Sequence, residues 1–358
     1  MLHRLKSLKY SQALILPVLG WISFQSQGWV TFAPLLWAFG VIPALELFFK
    51  PDERNFTPSE EDREKYDPIY DWQIYLMVPV QFLSLWLFLE SMQEPGLAIS
   101  DRIGRIASMG ILCGVIGVNV AHELGHRQKA YERFMAKALL MTSLYMHFFI
   151  EHNRGHHKYV STEEDPASAR YGESLYAFWL RAIPGVYRSA WRLERARLKR
   201  ARKPFFSLHN EMLIYHLVQA GLFLGIALVY GWATVGCFAI AAGMGYLLLE
   251  TVNYIEHYGL QRQKVNGKYE RVMPWHSWNS DHVVGRLVLF ELSRHSDHHF
   301  IASRKYQILR HIDHSPQMPT GYPGMMILAT LPPIWFSVMN PKIQETNLGK
   351  QWETHESE

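Results

Sequence analysis

Apolar residues in this chain gather in long runs, and several are long enough to cross a bilayer, which takes about 20 helical residues. Trp29–Phe49, with Glu46 as its one charge, is followed by Trp72–Leu89, Ile103–Ala121, Met212–Tyr230 and Trp232–Leu249. Leu8–Phe24 is a weaker run and ends in Gln25-Ser26-Gln27-Gly28, a turn into the next. The pattern predicts an all-α integral membrane protein with six transmembrane helices in three hairpins, forming a single catalytic domain over residues 1–358. Phe134–Ile150 is also apolar but lies between histidine clusters and contains His147, so it reads as a buried or interfacial helix. Met325–Met339 is broken by Pro332 and Pro333 and reads as a packed or re-entrant piece.

Lysine and arginine near the span ends set orientation. They crowd into Arg4–Lys9, Lys50–Asp71 and Arg127–Glu211, whereas Arg102 and Arg105 are the only cations on the opposite side. The expectation is a multi-pass protein of the bacterial cytoplasmic (inner) membrane. Its cytoplasmic parts would be 50–71, 122–211 and 250–358, forming a cap. The N-terminal apolar stretch has no small-residue cleavage site, so we read no cleavable signal there. A net charge of +4 and no nucleic-acid motif argue against a nucleic-acid partner. The two cysteines, Cys113 and Cys237, sit in apolar runs, which excludes a CxxC metal site and makes a disulfide framework or an iron–sulfur centre improbable.

The chemistry lies in the histidines. Eight of the eighteen fall in three clusters: His122 and His126 in HELGH; His152, His156 and His157 in HNRGHH; His295, His298 and His299 in HSDHH. Spacings of three and four put side chains on one helix face, so each cluster can aim imidazoles at one point. Imidazole ligates zinc, copper, iron and nickel, and eight exceed what one four-coordinate zinc uses; two metals are the simpler arithmetic. HELGH alone fits the zinc-protease pattern, but that leaves two clusters unexplained. His257, directly after the sixth span in NYIEHYGL, is a ninth candidate. His3, His209, His216, His314 and His355 read as ordinary residues. Neighbouring carboxylates Glu123, Glu151, Asp165, Glu256 and Asp297 are expected to hold the rings from behind.

HELGH, HNRGHH, NYIEHYGL and RHSDHH, in this order and spacing, resemble the integral-membrane alkane monooxygenases of the AlkB type. The similarity continues through Glu164-Asp-Pro-Ala-Ser168, Trp278-Asn-Ser280, Leu309-Arg-His311, Pro316-Gln317 and Gly321-Tyr322, and so covers nearly the whole chain. The histidine clusters alone are shared with membrane desaturases and with sterol, fatty-acid and xylene hydroxylases; NYIEHYGL is the narrower signal. Ser293 and Phe300 depart from the usual pattern around the third cluster. The resemblance implies two non-haem iron ions on the nine histidines, hydroxylating the terminal methyl of medium- to long-chain n-alkanes to 1-alkanols with O2. It also implies electrons from rubredoxin, reduced by an NAD(P)H-dependent reductase. Runner-up readings are a xylene-type methyl hydroxylase, a fatty-acyl desaturase or hydroxylase and, more remotely, a membrane metal-binding or transport protein.

An alkane has no polar handle, so an apolar channel entered from the bilayer must select it. Trp37, Phe39 and Ile42 in the second span are the lining candidates, with Trp37 as a chain-length stop. The cationic segment Arg188–Lys203, with Arg188, Arg192, Arg195, Arg197, Lys199 and Arg200, would either dock an acidic electron donor or lie on anionic lipid, with Trp191 as an anchor.

Overall fold

A computed structural model describes the backbone of residues 6–355 and the side chains of residues 6–346; His3 lies outside them. Among the described residues, five helices are long and apolar enough to cross a membrane: α2 (Gly28–Glu46), α3 (Pro68–Ser91), α4 (Ile99–Gly125), α7 (Glu211–Tyr230) and α8 (Trp232–His257). The remaining elements that position the site are α1 (Ile15–Phe24), α5 (Ala130–Thr142), α6 (Leu175–Arg200), α9 (His295–Phe300), α10 (Tyr322–Ala329) and α11 (Pro332–His355). The only strands among the described residues are a two-stranded hairpin at Lys264–Val265 and Lys268–Tyr269.

The predicted first span is not one long α-helix. Leu8–Leu14 is wound as a tighter 3-10 helix and only Ile15–Phe24 is α-helical. Its N-terminal turn serves packing instead: Tyr10 is buried and its hydroxyl donates to Glu291 at 2.7 Å. Phe134–Ile150 is likewise two pieces. α5 stops at Thr142, Leu144 adopts a left-handed backbone at φ 53°, and a short turn, Phe148–Glu151, follows. Met325–Met339 divides between α10 and α11, which pack on the end of α8, with Trp335 against Tyr254 and Tyr258.

α4 and α8 form the axis of the fold. Small residues let them touch: a Cβ on Gly245 would stand 2.5 Å from the Cys113 Cβ, and one on Gly114 would stand 3.0 Å from Leu248. Such close approach is how helices associate where the solvent is itself apolar. Both helices run toward the same end of the bundle, and there α4 delivers His122 and α8 ends on His257. By contrast, α7 leaves Leu217, Leu224 and Leu228 exposed, a surface suited to lipid tails.

Candidate metal centre

All nine predicted histidines converge at that end, in two groups. One holds His122, His126, His152, His157 and His298; the other holds His156, His257, His295 and His299. The expectation that each cluster aims at one point fails for two of the three. His152 and His157 meet through a wide π-helical turn over His152–His156, which aligns residues five apart and sends His156 to the other group. On α9, His295 and His299 share a face in the four-histidine group, while His298 turns to the five-histidine group.

Nitrogen meets nitrogen throughout. His152 Nε2 lies 3.0 Å from the Nε2 atoms of His126 and His157, and His298 Nε2 lies 3.0 and 3.2 Å from those of His122 and His157. With metal–imidazole bonds of about 2.1 Å, ligands at a right angle stand about 3.0 Å apart and tetrahedral ones about 3.4 Å. The five-histidine spacing thus fits a cation with more than four ligands better than tetrahedral zinc. In the four-histidine group, His156 Nε2 and both nitrogens of His299 are buried without a hydrogen-bond partner. Native proteins rarely leave such atoms unsatisfied, so a cation is the fitting occupant.

Burial, reinforced by neighbouring imidazoles, holds His152, His157, His295, His298 and His299 well below the ordinary imidazole range, and lowers His126 to about 3. Neutral rings keep the lone pair that a metal needs. His156 differs: burial lowers it, but the Asp165 carboxylate, together with the neighbouring Glu151 and Glu250, raises it.

The five carboxylates take different places. Asp165 accepts from His156 Nδ1 at 2.9 Å and fixes that ring from behind. Glu256 stands on the other side, with its Oε2 3.1 Å from His295 Nε2, the nitrogen that also faces His257. It therefore lies beside the ligand atoms rather than behind a ring, and Tyr322 donates to its second oxygen. Glu123 and Asp297 brace arginines instead, Glu123 with Arg127 and Asp297 with Arg304 and Arg310. Glu151 is buried beside Gly155 with its Oε1 unpartnered.

A narrow apolar cavity lies between α1, α2, α4 and α8. Phe39 and Ile42 line it, three residues apart on one face of α2; Trp37, two residues from Phe39 and so turned away, is not among its lining. Asn119, Val252 and Leu292 also line it, and they precede His122, His257 and His295 by three, five and three residues. Asn119 is a polar lining residue that the sequence reading missed, though its place one helical turn before HELGH was a usable signal. A separate open cleft is lined by His126 together with Arg127, Arg133 and Arg154, and holds no carboxylate. The predicted docking residues lie elsewhere. Arg188, Arg192 and Arg195 line a groove on α6, whereas Arg197 is paired with Glu194.

A bundle of apolar helices brings nine imidazoles together in two groups, each able to hold a metal ion, at one end of an apolar cavity. Residues 104–329 match the family described as fatty acid desaturase. The chain is 40% identical over 349 residues to alkane 1-monooxygenase 1 of Pseudomonas aeruginosa, covering 95% of this chain and 91% of that one. It is 39% identical over 333 residues to alkane 1-monooxygenase 1 of Alcanivorax borkumensis, covering 92% and 82%. The xylene/toluene monooxygenase hydroxylase component of Pseudomonas putida is more distant, 28% identical over 298 residues, covering 80% and 78%. The chain belongs to the fatty acid desaturase family, on its alkane monooxygenase branch.

Proposed function

We propose that this protein is an alkane 1-monooxygenase that converts medium- to long-chain n-alkanes and O2 to 1-alkanols, with two iron ions held by the nine histidines. The observation that carries this reading is the apolar cavity lined by residues just before His122, His257 and His295, on three of the four ligand-bearing segments. His122, His126, His152, His157 and His298 would hold one ion and His156, His257, His295 and His299 the other, with Glu256 offering an oxygen to the second. When bound, iron supplies the redox chemistry with O2 that side chains lack.

The chain's own residues do the rest. Phe39, Ile42 and their neighbours bind the hydrocarbon by shape and exclude water. Asn119, at the metal end, gives a hydrogen-bonding side chain where the product hydroxyl forms; its amide already donates to the Leu289 carbonyl at 3.0 Å, which fixes its orientation. Asp165 holds the His156 Nδ1 proton so that Nε2 stays free to ligate.

Electrons come from an acidic one-electron carrier of the rubredoxin kind, itself reduced by an NAD(P)H-dependent reductase. The cleft over His126 suits it, because His126 and His157 are the partly exposed ligands and Arg133, with no carboxylate beside it in the lining, offers a free cation at the cleft. The catalytic end faces the cytoplasm of a bacterial inner membrane, where such carriers reside. A xylene-type methyl hydroxylase is the second reading, supported by the more distant relative alone.

The test is iron content of the purified protein together with NADH- and rubredoxin-dependent conversion of an octane-to-hexadecane panel. About two irons per chain with 1-alkanol product supports the reading. Stoichiometric zinc, or no oxygenated product after iron loading, overturns it.

A further inference from the structure

Arg188, Arg192 and Arg195 stand at i, i+4 and i+7 on α6, forming one exposed stripe. Like charges one turn apart repel. Even so, none of the three forms an ion pair among the described residues, while Arg154 and Arg197 nearby both engage Glu194. The stripe borders an open groove whose other lining residues are Tyr187, Trp191 and Phe205. Its floor is aromatic. Trp191 stacks on Phe205 at 5.7 Å and on His216 at 5.6 Å, and Tyr187 pairs with His216 Nε2 at 2.9 Å.

His216 fixes the level of this groove, because it lies in the second turn of the spanning helix α7. The loop between α6 and α7 also presents Phe206 and Leu208, each 85% exposed, and the exposed Leu217 follows on α7. Unpaired guanidiniums above, a Tyr–Trp layer at the span's first turns and bare apolar side chains beside them match the strata of a bilayer surface.

We propose that this groove seats an anionic glycerophospholipid, with its phosphate among Arg188, Arg192 and Arg195 and its acyl chains on the exposed apolar side of α7. A soluble acidic protein would satisfy the arginines but leave Phe206 and Leu208 without an apolar partner; a lipid satisfies both. The stripe thereby becomes a membrane anchor, and the electron carrier is left to the cleft over His126. The proposal rests on the spanning helices and is independent of the alkane reading.

The test uses the full chain in nonionic detergent, with native mass spectrometry and titration of dioleoyl-phosphatidylglycerol, dioleoyl-phosphatidylcholine and inorganic phosphate. Phosphatidylglycerol is expected to bind in preference to phosphatidylcholine, and inorganic phosphate not to displace it. The triple variant Arg188→Gln, Arg192→Gln, Arg195→Gln should bind phosphatidylglycerol roughly a hundredfold more weakly, since each surface cation contributes comparably. The corresponding triple lysine variant, which keeps the charge, should retain binding and controls for folding. Equal binding of the two lipids by the wild-type protein, or undiminished binding by the glutamine variant, overturns the proposal. So does displacement by inorganic phosphate, which would mark a simple anion pocket, or loss of an acidic carrier protein's binding in place of lipid binding.

Discussion

Replacing Asp165 by asparagine should loosen one metal and leave the other. Asp165 is buried; its Oδ2 accepts from His156 Nδ1 at 2.9 Å and from the Ser168 hydroxyl at 2.6 Å, while its Oδ1 accepts from the Ala167 amide at 3.0 Å. An asparagine has one acceptor and one donor end. Turned one way, its NH2 faces His156 Nδ1 and pushes the ring proton to Nε2, the nitrogen needed by the metal. Turned the other way, its NH2 faces the Ala167 N–H. Losing a hydrogen bond to a charged group costs about 1.5–3 kcal/mol. That agrees with the roughly 10–100-fold weakening of metal affinity seen when a ligand's supporting carboxylate is removed. Because His156 belongs to the four-histidine group, a chelator titration followed by iron analysis should become biphasic. Half the iron should leave at a 10–100-fold lower chelator concentration, and the other half at the wild-type position. If both halves shift together, or neither shifts, Asp165 does not act through His156.

Other predictions follow from the packing and the electrostatics. Gly245→Ala should destabilise by about 1–3 kcal/mol, since its Cβ meets Cys113 with no flexible side-chain end to yield; Gly225→Ala, with nothing within 4 Å, should be tolerated. Equal melting temperatures for the two variants would refute the close α4–α8 contact. Phe39→Ala should alter the alkane chain-length profile and Trp37→Ser should leave it unchanged, because only Phe39 lines the cavity; the reverse result in a product panel would move the channel. The pH dependence also has a definite sign. Burial depresses the ligand imidazoles, His126 to about 3, so below the unfolded value of about 6.5 the unfolded chain binds more protons than the folded one. Stability of the metal-free protein should therefore fall as pH falls from 7 to 5, with His156 and the buried Glu151, both raised, opposing but outnumbered by the depressed imidazoles; a flat thermal-unfolding profile would refute it.

The spanning helices and the nine histidines were legible because both signals are local. Twenty apolar residues or a short histidine spacing need no knowledge of distant chain. What escaped the sequence depended on backbone form or on partners far away. Leu8–Phe24 is apolar enough to look like a span, but its first half winds into a 3-10 helix and packs through Tyr10 on Glu291, 281 residues distant. Trp37 drew attention by size, yet its angle on α2 relative to Phe39 and Ile42 decides which of them meets the cavity. The carboxylates show the same limit. Standing beside a histidine in sequence made Glu123 and Asp297 look like ring supports, but both pair with arginines, Glu123 with Arg127 only four residues on and Asp297 with Arg304 and Arg310, so here side-chain direction rather than distance along the chain decided.

The division of the histidines follows from the same geometry and has a consequence for how the centre works. HELGH serves only the five-histidine group and His257 only the four-histidine group, but HNRGHH and RHSDHH each serve both. The π-helical turn at His152–His156 and the helix α9 therefore clasp the two histidine groups at a fixed relation, since neither segment can shift without moving members of both. Within that clasp the two groups are unequal: the four-histidine ligands are all buried, while His126 and His157 of the other group are partly exposed, His126 at the wall of an arginine-lined cleft. If electrons enter by that cleft, as proposed, they arrive at the five-histidine group, and the two segments that straddle both groups join it to the buried one.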